Sequence, residues 1–185
     1  PETRAEVRRK VSAFVRGRWF EPPFSGPGFS ALLERAFAAM AAAPAGAPLL
    51  PAGHPLDLFV TATAFHGHMS LLRLNSPPVA EEAEHRVSIA FSSKVPAVAG
   101  EGLADRLSLV FAARATASFP GAFPPATLDE IDRLAEATGS GWPGREAFID
   151  RVLPRQKEQG RLEGLALLDG SVLVNKPFEA AIGAL

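Results

Sequence analysis

Asp169 and Gly170 end an apolar run, Leu165 to Leu168, and a second run, Val172 to Val174, follows before Asn175-Lys176-Pro177. A short apolar run bounded by turn signals reads as a buried strand. In open α/β folds chemistry collects at the rim where strands end. An acid there could act as a general base or as a nucleophile for phosphoryl transfer. The second role wants further acids to hold magnesium, and within the six residues before Asp169 only Glu163 is acidic. The neighbouring glycine permits close backbone approach and positive φ. Asp-Gly between two apolar runs is equally the signal for a two-residue hairpin turn. On these residues alone both readings stay open.

The other candidates are thinner. His66 and His68 would share a face if they lay on one strand, and His85 could join them. Zinc needs three or four converging ligands, and Gly67 reads as a turn between the pair, so no metal is expected. A serine nucleophile of α/β-hydrolase type needs Gly-x-Ser-x-Gly between a strand and a helix. No serine has glycine at both required positions, and Gly28-Phe29-Ser30 is half a match preceded by Pro22, Pro23 and Pro27. There is no phosphate loop and no dinucleotide fingerprint. The chain has no cysteine, which excludes disulfides, thiolate metal sites and a cysteine nucleophile. No cofactor is expected.

The 185 residues are 47% hydrophobic, enough for a core, and a formal net charge of −1 gives no global pull toward nucleic acid. The chain reads as a single unit with a helical lead-in over 1–55. Residues 4–19 place Val7, Val11, Phe14, Val15 and Trp19 on one helical stripe, with Arg8, Arg9, Arg16 and Arg18 off it. Such a basic face could meet phospholipid headgroups or simply be solvated. The Pro- and Gly-rich stretch Phe20 to Gly28 reads as loop, and Ser30 as the N-cap of a helix over Ala31 to Ala43.

Leu56 to Thr63 predicts a core strand, Met69 to Leu74 a second, and Arg86 to Phe91 a third, with Glu81, Glu82 and Glu84 in a solvated loop. Leu103 to Ser118 predicts a nearly all-apolar helix carrying one conspicuous charge, Arg114. Phe119 to Pro125 is a stiff proline-rich loop. Leu128 to Ala137 and Gly144 to Val152 predict two surface helices. Interleaved helices and strands imply an α/β layered fold. Pro1-Glu2-Thr3-Arg4 does not resemble a signal peptide, the apolar tract Ala36 to Gly53 is broken by prolines, and the opening on Pro1 suggests a fragment. A cytoplasmic or peripheral-membrane location is expected.

Three segments in order resemble the patatin-like phospholipases, the large bacterial patatin-related proteins in particular. They are Asp57 to His68 (DLFVTATAFHGH), Ala112 to Pro125 (AARATASFPGAFPP) and Leu167 to Phe178 (LLDGSVLVNKPF). The similarity runs over residues 56–185. It implies part of a three-layer α/β/α fold that cleaves acyl esters of lipids with a Ser–Asp dyad and no histidine. Asp169 would be the dyad acid, supported by Gly170, Asn175 and Pro177, with Phe119, Pro120 and Phe123 as candidates to line an acyl pocket. The family's Gly-rich oxyanion loop and Gly-x-Ser-x-Gly would precede residue 1, so the remainder of the same polypeptide is the implied partner, and a lipid or other acyl ester the implied substrate. Ser171 stands where glycine or alanine commonly follows Asp-Gly, and Ala64 where many relatives carry an acid. A non-catalytic lipid-docking or interaction segment that keeps the fold is the alternative.

Overall fold

A computed structural model describes residues 22–44, 46, 50–51, 53–93, 103–174 and 178–183. The amphipathic stretch 4–19 lies outside them. The described chain is mixed α/β: helix α1 (Gly26–Ala42), strands β1 (Leu56–Arg73) and β2 (Val79–Ser93), and helices α2 (Arg106–Thr116), α3 (Leu128–Thr138), α4 (Arg145–Val152) and α5 (Pro154–Glu158). Strand β3 (Leu167–Asp169), a 3-10 turn (Gly170–Val172) and helix α6 (Phe178–Ile182) complete it. Among the described residues the sheet has three strands in the order β2-β1-β3, and both pairings are antiparallel.

Helix α1 begins five residues earlier than Ser30-capping predicts, at Gly26 rather than Ala31. Ser25 is the N-cap, its hydroxyl accepting from Gly28 N at 3.1 Å. Pro27 falls in the first turn, where its missing N–H has no intrahelical acceptor to lose. Ser30 is instead fully buried within the helix, its hydroxyl donating to the Glu130 carboxylate.

Strands β1 and β2 form one long ribbon. Gly67 is not a turn between two strands. The register shifts so that Ala64 to Gly67 stand opposite the single residue His85. At this bulge Gly67 adopts φ +60°, and an added Cβ would sit 3.0 Å from Glu84 O and the His85 ring. Glu81, Glu82 and Glu84 lie in β2 rather than in a loop.

The core sits against one half of this ribbon. Val60 faces Ile89 and Ala62 faces Val87 in register, so these residues share one face of the sheet. Helix α2 packs on β1 and β3, α4 packs on β2, and α1 packs across α2 and α3. Phe111, Trp142, Phe148 and Phe91 interlock there, with Phe111 and Phe148 edge to face at 5.6 Å. Trp142 Nε1 donates to Ser108 Oγ at 3.1 Å, so the buried indole is satisfied. No helix among the described residues is long and apolar enough to cross a membrane.

Candidate functional site

Asp169 is the last residue of β3 and is half-buried. It is not the first residue of a type I′ hairpin. Such a turn needs φ > 0 at both central positions, whereas Asp169 has φ −48° and ψ 134°, and Gly170 is not in the left-handed region. Asp169 Oδ1 instead accepts from Ser171 N at 2.8 Å and caps the 3-10 turn. Val172 to Val174 therefore do not return as a strand.

Both sides of β3 are occupied. On one side Ala62, Thr63 and Ala64 of β1 pair with Asp169, Leu168 and Leu167. On the other, Leu167 exchanges both backbone bonds with Ala126 at 2.8 and 2.9 Å, and Asp169 N donates to Ser118 O at 3.1 Å. The proline-rich segment between Ser118 and Ala126 thus takes the place of a neighbouring strand. Thr63 Oγ1 donates to Asp169 O at 3.1 Å, fixing the main chain a third way. Among the described residues, Asp169 Oδ2 takes no hydrogen bond. β3 runs antiparallel to its partner, so the carboxyl-end rule, which belongs to parallel sheets, does not itself single out this acid.

Gly170 is required by space rather than by dihedral angle. A Cβ there would lie 2.5 Å from the Thr61 carbonyl oxygen and closer still to its hydroxyl. This contact presses the turn after Asp169 onto the β1 backbone. Asn175 and Pro177 lie outside the described residues.

Arg114 organises what stands behind the rim. Its side chain is fully buried. Nε donates to Glu130 Oε1 at 2.9 Å, Nη1 to Ser118 Oγ at 2.5 Å and Nη2 to Pro124 O at 2.8 Å. Ser118 Oγ in turn donates to Arg114 O at 2.8 Å. Gly26 leaves room for the guanidinium, since a Cβ there would fall 2.5 Å from Nη2. The charge in an otherwise apolar helix is visible in sequence. Its partners, drawn from α3 and the loop, are not.

The aromatic candidates separate. Phe123 stacks against both Phe24 and Phe29, with ring centroids 5.1 and 5.0 Å apart, and Arg114 lies 5.7 Å from its centre. Phe123 is thus packing for the loop. Phe119 and Pro120 are exposed, Phe119 by 57%.

Two cavities lie elsewhere. One, of about 550 Å³, is bounded by β2, α2 and α4 and includes Phe91, Asp105, Phe148 and Arg151. The other, of about 450 Å³, is bounded by the β1 bulge and the turn before β3 and includes His66, Gln156, Arg161 and Glu163. Neither is lined by Asp169, Phe119, Pro120 or Phe123. The histidines diverge: His85 Nδ1 lies 2.7 Å from Ala64 O, His68 Nδ1 lies 3.3 Å from Gln156 Nε2, and His66 faces the smaller cavity. No group of three or more His, Asp or Glu side chains among the described residues converges to hold a metal ion.

No family model, curated protein or solved structure matches this chain.

Proposed function

We propose that this chain carries the acid half of a Ser–Asp acyl-ester hydrolase site, within a three-layer α/β/α fold of the patatin-like kind, with Asp169 as the general base. The observation that carries the reading is the state of that carboxylate. One oxygen is held by Ser171 N and the main chain by Ser118 and Thr63, while Oδ2 has no hydrogen-bond partner among the described residues. A pinned acid with one open oxygen can accept a proton without first breaking another contact, which is what a positioned base needs. The three segments that resemble the patatin-like family support the same assignment.

The nucleophilic serine and the oxyanion donors come from upstream residues of the same polypeptide. Asp169 Oδ2 takes the hydroxyl proton as the serine oxygen bonds to the acyl carbon. It returns that proton to the departing alcohol as the ester C–O bond breaks. Water, deprotonated by the same oxygen, then attacks the acyl carbon, and as the bond to the serine oxygen breaks the proton passes to that oxygen and the acid is released. In this reading Phe119 and Pro120, which are exposed, would meet the acyl chain.

Without the nucleophile the 185-residue chain does not turn over a short-chain chromogenic ester, and a chain extended upstream does. In the extended protein Asp169→Asn lowers kcat by about a thousandfold or more. The amide oxygen still accepts from Ser171 N, so the thermal midpoint stays within a few degrees. Unchanged turnover in this variant rejects Asp169 as base.

A second reading has its own observation. Met69, Leu71, Leu72, Leu74 and Val79 are all exposed on the far half of the β1–β2 ribbon, as in a segment that docks on lipid without chemistry. It predicts cosedimentation of the 185-residue chain with zwitterionic vesicles, lost in Leu71→Asp. Glu81 and Glu82 beside these residues disfavour anionic ones.

A further inference from the structure

The rim acid does not hold its own position. Its amide is bonded to Ser118 O, and the residue two before it, Leu167, is bonded twice to Ala126. Ser118 and Ala126 bracket a loop with no regular ladder of its own, so something must fix the distance between them. Arg114 does so from beneath: Nη1 holds the Ser118 side chain, and Nη2 holds the carbonyl of Pro124 two residues before Ala126. Glu130 keeps the guanidinium in one orientation by taking Nε at 2.9 Å, and Ser30 donates to the same carboxylate. Phe123, stacked between Phe24 and Phe29, fills the loop's interior. A planar fork with donors in fixed directions can hold two points of a loop at a set spacing, whereas a lysine ammonium on a flexible stem cannot.

We infer that Arg114 is a positioning residue for Asp169, acting by clamping both ends of the 118–126 loop against the outer edge of β3. This deepens the hydrolase reading and, as far as the role of the carboxylate goes, rests on it. The mechanical part does not: it concerns which backbone bonds open when the fork is lost.

The two parts are read by different measurements. In the 185-residue chain, amide hydrogen exchange is compared between the parent and Arg114→Lys. The lysine keeps a cation beside Glu130 but cannot reach Ser118 and Pro124 together. The amides of Asp169, Leu167 and Ala126 are expected to exchange about tenfold faster or more, while those in the middle of α3 change by less than about threefold. Ser118→Ala deletes the Nη1 acceptor, together with the hydroxyl's own bond to Arg114 O, and covers the case in which Arg114→Lys fails to fold. It should speed the Asp169 amide most and leave Ala126 nearly unchanged, because the Pro124 contact remains. Equal acceleration across α3 and β3 in both variants means a merely structural arginine and overturns the inference, as does an unchanged Asp169 amide in Ser118→Ala.

In the upstream-extended protein, Ser118→Ala lowers kcat by about tenfold with KM unchanged, since a shifted base alters the transition state and not ground-state binding. If exchange behaves as expected but Asp169→Asn leaves turnover intact, the clamp stands and the hydrolase assignment falls. If Asp169→Asn abolishes turnover but exchange at Asp169 is indifferent to Ser118 and Arg114, the assignment stands and the clamp falls.

Discussion

One strand runs through two very different neighbourhoods. In the first half of β1, Ala62 and Ala64 are buried against α2 and β3, and Val87, Ile89 and Phe91 on β2, which pair with Ala62, Val60 and Leu58, are buried with them. Beyond the bulge at Gly67, Met69, Leu71 and Leu72 continue the same strand at exposures of 44, 67 and 40%. The amino-acid types hardly differ. What differs is coverage: helices and the proline-rich loop lie over the near half, whereas on the far half α5 reaches just the start, with Gln156 beside His68 and Gln159 Nε2 donating to Met69 O. Strand propensity makes the ribbon, but its burial is decided by neighbours distant in sequence. The near half is the side on which a mutation should be felt.

The largest effect is expected where the near half meets its buried charge. Arg114→Ala removes a fully buried guanidinium and strands the Glu130 carboxylate, whose side chain is only 8% exposed. Breaking such a pair costs about 3–5 kcal/mol, a large part of the usual stability of a domain. Urea unfolding should show the midpoint collapse, and an unfolding free energy within about 1 kcal/mol of the parent would mean the pair is not the keystone of this half. Next comes Gly170→Ala. Its methyl meets the Thr61 main-chain oxygen, so the turn must move, at about 1–3 kcal/mol. Thr61→Ala, which removes the hydroxyl, should not rescue it, because the carbonyl remains.

How much of this was legible follows the same division. Helices α3 and α4 fall within a residue of the spans that their apolar periodicity predicts, Leu128 to Ala137 and Gly144 to Val152. α3 carries its own signals at both ends: Thr127 caps the start, and Gly139 at φ +64° closes the last turn. Elements whose signals are non-local were misread. Pro22 and Pro23 read as loop and lie before α1, but Pro27 also reads as loop, although a proline in the first turn is compatible with the helix. Gly67 reads as a turn, although with a long partner strand in place it becomes a bulge. Asp169-Gly170 reads equally as a hairpin because local sequence cannot show that both edges of β3 are already taken. Asp169 is singled out in the sequence by its position and by the resemblance. The loop that pins it was seen only as stiff, and Arg114 only as an odd charge, because Ser118, Pro124 and Glu130 come together only in three dimensions.

The far half should be nearly silent. Leu71→Ser, at a side chain already two-thirds in water, should shift stability by no more than about 0.5 kcal/mol. A loss of 2 kcal/mol or more would mean that the ribbon's far half is covered in solution.

A small effect also lies at the boundary, where Glu84 stands opposite His68 beside the bulge. The Arg86 guanidinium bonds its carboxylate and draws its pKa down from 4.5 to about 2, with partial burial opposing. A lowered folded-state pKa means the ion pair stabilises the fold at pH above about 4.5. That contribution fades as pH falls through about 2, when the carboxylate takes up a proton. Arg86 is well exposed, with its side chain at 61%, so solvent screening holds the contribution below about 1 kcal/mol. Carboxyl-carbon NMR on the parent and Arg86→Ala reads it directly. The Glu84 midpoint should rise toward the ordinary carboxylate range when the guanidinium is gone, and stability between pH 2 and 4 should change far less than in the Arg114 or Gly170 variants. A Glu84 midpoint that stays low without Arg86 would transfer the effect to the bulge backbone, and would make this boundary part of the ordered half rather than the start of the exposed one.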